Sequence, residues 1–271
     1  MSVKQILIFD SGVGGLSIFE EIRKKNSKLS CYYLSDNAYF PYGELTKEVL
    51  TQRLLCLLTD FTKKHPVDLI VIACNTASTI ALKTLREHFS IPIVGVVPAI
   101  KPACQLTKNN IIGLIATPAT ITREYTSLLI DEFATKKQVL TLASTALVKL
   151  AERKLSALPI DNMMLQKQLS DIFKEWLMLA RRPDTIVLGC THFPLLKADI
   201  ELCFGGNIQL VDSGGAIAKR VQKLLPVQCS IGMPQHHAFY TQKNKQQCAL
   251  EHAFLIRHFS SFSLFLPLEM E

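Results

Sequence analysis

Short apolar runs alternate with helix-like patterns along the whole chain, and this alternation leaves few folds open. The strand candidates are Gln5–Phe9, Cys31–Leu34, Leu69–Ala73, Ile93–Val97, Ile111–Ala116, Val139–Leu142, Thr185–Leu188 and Ile208–Val211. Between them, Thr46–Lys64 and Asp161–Ala180 are long enough for helices. In the second, Leu165, Leu169, Ile172, Phe173, Trp176, Leu177 and Ala180 recur at spacings of three and four, which makes one apolar stripe behind an Asp161 N-cap. Strands separated by helices pair in parallel and are covered on both faces, which predicts an α/β fold. In such folds ligands bind at the carboxyl ends of strands, so the strand-to-helix junctions carry the functional question.

The length of 271 residues suits one large domain or two moderate ones, at roughly 150 residues per domain. With 48% hydrophobic and 20% charged residues, the chain is too apolar and too evenly charged for disorder. Its longest apolar stretches, such as ILIF at 6–9 and LIVIAC at 69–74, fall far short of the ~20 residues that span a bilayer. The opening MSVKQILIFD lacks the apolar core and cleavage site of a signal peptide, so a soluble, cytoplasmic protein is expected. The net charge of +7 sits in short groups, Arg23–Lys25, Lys63–Lys64, Lys136–Lys137 and Arg181–Arg182, each expected near a helix end. No nucleic-acid or membrane partner is expected. None of the eight cysteines forms a C-x-x-C pair, and a cytosolic setting disfavours disulfides. Cys31, Cys56, Cys104 and Cys203 have apolar neighbours and read as small core residues.

The two halves of the chain repeat. ILIFDSGVGG at 6–15 parallels IGLIATPATI at 112–121, DLIVIACNTAS at 68–78 parallels DTIVLGCTHFP at 184–194, and IPIVGVVPAI at 91–100 parallels IQLVDSGGAI at 208–217. The blocks keep their order, and Cys74 lies about as far before Val97 as Cys190 does before Val211.

Each block ends in small polar residues, where a helix N-terminus would offer free N–H groups to a carboxylate or phosphate. Asp10-Ser11-Gly12-Val13-Gly14-Gly15 imitates a dinucleotide loop, with Asp36 as the mimic of a ribose-binding acid. It lacks the third glycine at the required spacing, and Asp10 would repel a pyrophosphate. The paired junctions are Cys74-Asn75-Thr76 and Cys190-Thr191-His192. A thiol at a helix start has its thiolate stabilised by the dipole. If the halves face each other, two thiols approach one cleft from opposite sides, which suits proton transfer on both faces of a tetrahedral carbon. A zinc site at Cys190 and His192 would need further ligands, and nothing in the spacing brings His236-His237 to them, so no metal is expected. A Cys/His hydrolase dyad would leave Cys74 and the repeat unexplained.

DSGVGGLS at 10–17, PYG at 41–43, ACNTAS at 73–78, GCTHFP at 189–194 and VDSG at 211–214 resemble, in order and spacing, the motifs of the glutamate racemase family, from about Ile6 to Phe259. The resemblance implies a cofactor-independent enzyme that interconverts L- and D-glutamate and supplies D-glutamate for peptidoglycan. It implies two similar doubly wound α/β domains with mostly parallel sheets, related by a pseudo-twofold repeat, with the active site in the cleft between them. Residues 1–97 with 208–271 would form the first domain, to which the C-terminal segment returns, and 98–207 the second. Homodimers are common in the family.

Carried onto this chain, the resemblance makes Cys74 and Cys190 the two catalytic bases, with Asp10 and His192 assisting proton transfer and Glu152 pairing with the histidine. Asp10, Ser11, Pro41, Tyr42, Gly43, Asn75, Thr76, Thr117, Thr120, Thr191 and His192 match its substrate-binding positions. The family often has Gly before each of the two threonines, where this chain has Ala116 and Ala119, and the apolar tail FSLFLPLEM after Ser261 matches no family motif. Some relatives carry an N-terminal extension for a cell-wall precursor activator, and this chain begins almost at its first strand. Two other classes stay open: a two-thiol isomerase of another substrate, such as aspartate or maleate, and a non-catalytic protein that binds a macromolecule through its basic surface.

Overall fold

The computed structural model describes residues 3–156, 160–226, 232–243 and 245–267. Among these residues ten strands form two sheets. In chain order they are β1 (Gln5–Asp10), β2 (Ser30–Ser35), β3 (Leu69–Ile72), β4 (Ile93–Gly95), β5 (Ile111–Ala116), β6 (Gln138–Ala143), β7 (Thr185–Leu188), β8 (Gln209–Val211), β9 (His236–Tyr240) and β10 (Ser261–Leu264). The first sheet runs β10-β9-β2-β1-β3-β4 and the second β6-β5-β7-β8. Every pairing in both sheets is parallel. The central strands β3, β5 and β7 are buried at every residue, which is why they read as unbroken apolar runs. Among the described residues no helix is long and apolar enough to cross a membrane.

The sequence repeat is a repeat of topology. The order β2-β1-β3-β4 recurs as β6-β5-β7-β8. Phe9 lies opposite Ile72 in one sheet, and Ile115 lies opposite Leu188 in the other. Beyond these pairs the same bonds recur: Ala73 N–H donates to the Phe9 carbonyl at 2.7 Å, and Gly189 N–H to the Ile115 carbonyl at 2.7 Å. Cys74 and Cys190 are each the next residue along.

Three expectations are corrected. Residues 208–211 were expected with the first domain, but β8 pairs with β7 in the second sheet. The chain crosses back only after β8, where Ser213 Oγ donates to the Val97 carbonyl beside the outward crossing. The helix expected over Asp161–Ala180 is two helices, Asn162–Ile172 and Lys174–Leu177, broken at Phe173 (ψ 6°). The break turns Phe173 and Trp176 into the core, with Phe173 5.2 Å from Phe204, and leaves Ala180 exposed. Of the cysteines expected in the core, Cys31 is buried, whereas Cys56, Cys104 and Cys203 are half-buried.

Local signals explain the other helices that matter for the site. Helix α1 (Leu16–Lys25) ends in Arg23, Lys24 and Lys25, and α2 (Lys47–Lys64) in Lys63 and Lys64, which complement their C-terminal dipoles. Lys136–Lys137 and Arg181–Arg182 lie just beyond the ends of the Glu124–Phe133 and Lys174–Leu177 helices, in the connections to β6 and β7. The Thr46 side chain caps α2 by accepting from Val49 N–H, and Asp161 caps its helix as expected. Beyond β8 the chain returns to the first sheet: β9 pairs with β2, and β10 extends the edge.

Candidate active site

Strand ends from both sheets converge on one narrow cavity. Ser11, Phe40, Pro41, Tyr42, Gly43, Cys74, Asn75, Thr76, Thr117, Thr145, Val148, Cys190, Thr191 and His192 line it. Of the residues expected there, Asp10, Thr120 and Glu152 lie behind this wall and act on it through hydrogen bonds.

The two thiols have different surroundings. Cys74 is the N-cap residue of helix α3 (Asn75–His88), as expected for a thiol at a helix start. Its Sγ lies 3.8 Å from Ser11 Oγ. Burial, and next the charge of Asp10, push its pKa up to about 12, against which the Ala77 N–H works. Cys190 does not start a helix. Residues 190–192 form a turn, followed by a 3-10 segment over Phe193–Leu196. The dipole argument made for both thiols therefore applies to Cys74 alone. An imidazole stands at Cys190 instead: His192 Nδ1 lies 3.7 Å from its Sγ, and His192 Nε2 lies 3.2 Å from Glu152 Oε1. Burial opposes a charge on His192, but its hydrogen bonds to Cys190 and Glu152 outweigh that and hold its pKa well above the usual histidine value.

The loop after β1 seats this second-half relay. A Cβ on Gly14 would overlap the His192 ring, and one on Gly12 would overlap the Glu152 carboxylate. The glycines of DSGVGG thus permit a close approach of side chains from the other half rather than a phosphate. Asp10 joins the halves as well. Its Oδ1 accepts from Gly12 N–H at 2.7 Å and its Oδ2 from Thr191 Oγ1 at 3.0 Å. Burial raises its pKa, while His192, the Gly12 N–H and the Thr191 hydroxyl oppose the rise.

The remaining wall is made of hydroxyls and an amide. Thr76, Thr117 and Thr120 form a triangle, with Oγ1 separations of 3.1 Å (Thr76–Thr117), 3.2 Å (Thr76–Thr120) and 3.0 Å (Thr117–Thr120). Thr117 also caps the short helix Pro118–Ile121, so Ala116 and Ala119 still bring both threonines to Thr76. The Asn75 side-chain oxygen is buried without a hydrogen-bond partner, an open acceptor in a residue that lines the cavity.

Asp36, weighed as a ribose-binding acid, is committed elsewhere. Arg53 donates to it through Nε at 2.9 Å and Nη2 at 2.8 Å, Tyr42 through its hydroxyl at 2.6 Å, and Thr241 through Oγ1 at 2.7 Å. This buried network anchors the Tyr42-Gly43 wall to α2 and to the end of β9. His236, once weighed as a metal ligand, packs between Phe19 (5.1 Å) and Phe259 (5.6 Å), and burial lowers its pKa to about 4. Phe40, Thr145 and Val148 were missed. Phe40 adjoins the PYG motif, whereas Thr145 and Val148 carry no local signal and reach the cavity through the packing of helix Ala146–Leu155.

A sequence profile of the Asp/Glu/Hydantoin racemase family matches residues 16–221. The chain is 50% identical over 239 residues to a glutamate racemase of Vibrio cholerae, covering 88% of this chain and 87% of that one. It is 54% identical over 220 residues to a glutamate racemase of Vibrio vulnificus, covering 81% of each. Its fold is similar to the crystal structure of Escherichia coli glutamate racemase in complex with L-glutamate and the activator UDP-MurNAc-Ala, with a TM-score of 0.91, 40% identity and coverage of 98% and 99%. A glutamate racemase isoform of Bacillus anthracis superposes with a TM-score of 0.84 at 29% identity, covering 99% of this chain and all of that one. With its two parallel-sheet domains and this similarity along most of its length, the chain belongs to the Asp/Glu/hydantoin racemase family, among the glutamate racemases.

Proposed function

We propose that this racemase interconverts L- and D-glutamate by moving the Cα proton between two thiols, and that it supplies D-glutamate for peptidoglycan. The observation that carries the reading is the pair of cysteines lining one cavity at equivalent positions of the two sheets. One thiolate takes the Cα proton from one face, the C–H electron pair stays on the substrate, and the other thiol gives its proton to the opposite face.

The two surroundings divide the labour. A Cys74 thiol with a pKa near 12 is protonated at neutral pH and serves as the donor. On the other side, His192 can hold a proton beside Cys190 and leave that sulfur as the base. Family resemblance pairs Cys190 with L-glutamate and Cys74 with D-glutamate. The Asn75 oxygen is free to accept from the substrate ammonium, and the Ser11, Thr76 and Thr117 hydroxyls can donate to its carboxylates, whereas the Thr191 hydroxyl proton is held by Asp10. Such fixed donors, in a narrow cavity lined mostly by buried residues, lower the cost of charge built up at Cα.

The test is incubation of the purified protein with L-glutamate in heavy water, followed by chiral chromatography and mass spectrometry. The expected result is an equal mixture of enantiomers with deuterium at Cα in the D-product. Unchanged L-glutamate overturns the reading, as does faster turnover of L-aspartate in a parallel incubation.

A further inference from the structure

The Cys190–Thr191–His192 turn is held from the first half at two points. One is the Thr191 hydroxyl on Asp10. The other is main chain: Ser17 Oγ, in the first turn of α1, donates to the Thr191 carbonyl at 2.8 Å. Ser17 does not line the cavity. The same hydroxyl also lies 2.8 Å from the Gly14 carbonyl, three residues before it. A serine hydroxyl has one proton, so the two carbonyls share a single donor. Directed at Thr191, that proton fixes the peptide between the thiol and the imidazole.

We infer that Ser17 is a positioning residue for proton transfer at Cys190, acting through the Thr191 main chain. Rotation of that peptide would move Cys190 Sγ and His192 Nδ1 relative to one another, and their 3.7 Å separation leaves little slack for a proton to pass. Among the described residues no hydrogen bond joins Ser17 to Cys74, so that side would be untouched. The inference rests on the two-thiol reading above.

The two-thiol premise is checked first with Cys190→Ser: interconversion that persists in this variant overturns the premise itself, whatever Ser17 does. Ser17→Ala and Ser17→Thr are then compared with wild type. Alanine favours the helix, so Ser17→Ala should fold with an undiminished melting temperature. Its kcat should fall by about tenfold, the scale of one lost hydrogen bond, while KM stays within about twofold. Initial rates with α-deuterated substrates supply a readout that a merely structural role would not move. With Ser17→Ala the isotope effect on kcat/KM should rise from the L side, where Cys190 breaks the bond, and fall from the D side. Ser17→Thr, which keeps the hydroxyl, should restore both. Wild-type kcat in Ser17→Ala, a loss confined to KM, or isotope effects that move together in both directions would each overturn the inference.

Discussion

The imidazole of His192 lies in the space that a side chain on residue 14 would fill. Gly14 belongs to the loop after β1 and His192 to the turn after β7, so the relay behind Cys190, though built wholly from the second half, is braced by the first half where the two sheets' loops meet. Gly14→Ala must push the ring away from Cys190. Its kcat should fall on the order of 10²-fold, the lower end of what a positioned proton carrier contributes. Gly215, whose added Cβ would meet nothing within 4 Å, is the matched control. Gly215→Ala should leave kcat unchanged and stabilise its helix slightly. Steady-state kinetics on both variants decide the matter, and equal activities would show that His192 is not held by this contact.

Asp10 links activity to stability with opposite signs. Its folded pKa is raised, chiefly by burial, so the folded protein binds the proton more tightly than the unfolded chain. The stability from this group is complete below the unfolded value of about 3.8 and is lost as pH climbs through the folded value. Asp10→Asn should therefore melt higher than wild type at neutral pH, with the gap closing as pH falls towards 4. Turnover should fall far more than substrate affinity weakens. The charge of Asp10 also helps to raise the Cys74 pKa. Its removal should let iodoacetamide modify Cys74 faster even as catalysis slows, which peptide mapping by mass spectrometry can read. In wild type the label should reach Cys190 well before Cys74, and substrate should protect both.

The buried pair of Arg53 and Asp36 supports the wall that carries Tyr42. Replacing Arg53 by Met leaves the carboxylate, among the described residues, with the Tyr42 and Thr241 hydroxyls and no cation. Loss of one partner of a buried pair costs roughly 3 kcal/mol or more. The variant should unfold at clearly lower denaturant, and its KM should rise more than its kcat falls, because Tyr42 and Gly43 loosen before the thiols do. A stable variant with unchanged KM would count against this anchoring role.

How much of this could be seen in the sequence depended on whether a residue's role was local. Eight strands were legible as apolar runs, the central β3, β5 and β7 because both of their faces are buried and the half-exposed edge strand β6 by its apolar residues alone, and the repeat marked Cys74 and Cys190 as equivalent. HHAFY at 236–240 was not legible as β9. Two histidines open it, and only packing against Phe19 and Phe259 makes His236 a core residue. The break at Phe173 was hidden because the apolar stripe runs on past it. Glu152 came from family resemblance alone. Ser17 and Arg53 went unseen because each acts on a residue far away in sequence, Ser17 on Thr191 and Arg53, through Asp36, on the PYG wall. The imidazole at Cys190 was adjacent in sequence, but the turn that replaces a helix start there was not.

The most discriminating test removes one thiol at a time. In a two-thiol reaction each sulfur serves one face of Cα, so a single mutant can still take a proton from its own enantiomer but cannot deliver one to the other face. In heavy water Cys190→Ser should exchange the Cα hydrogen of D-glutamate alone, with configuration retained, and Cys74→Ser should do the same for L-glutamate. Both exchanges should be slow, since the carbanion lacks a donor opposite. The two rates should also differ. Cys74→Ser keeps the whole Cys190–His192–Glu152 relay, whereas Cys190→Ser relies on a thiol whose pKa is near 12 with Ser11 beside it. At neutral pH, exchange of L-glutamate by Cys74→Ser should therefore be the faster, and exchange of D-glutamate by Cys190→Ser should gain more as pH rises. Proton NMR of the Cα signal follows both reactions directly. Interconversion by either mutant at close to the wild-type rate would mean that one base serves both faces, and the equivalence of the two junctions would then have no part in the chemistry.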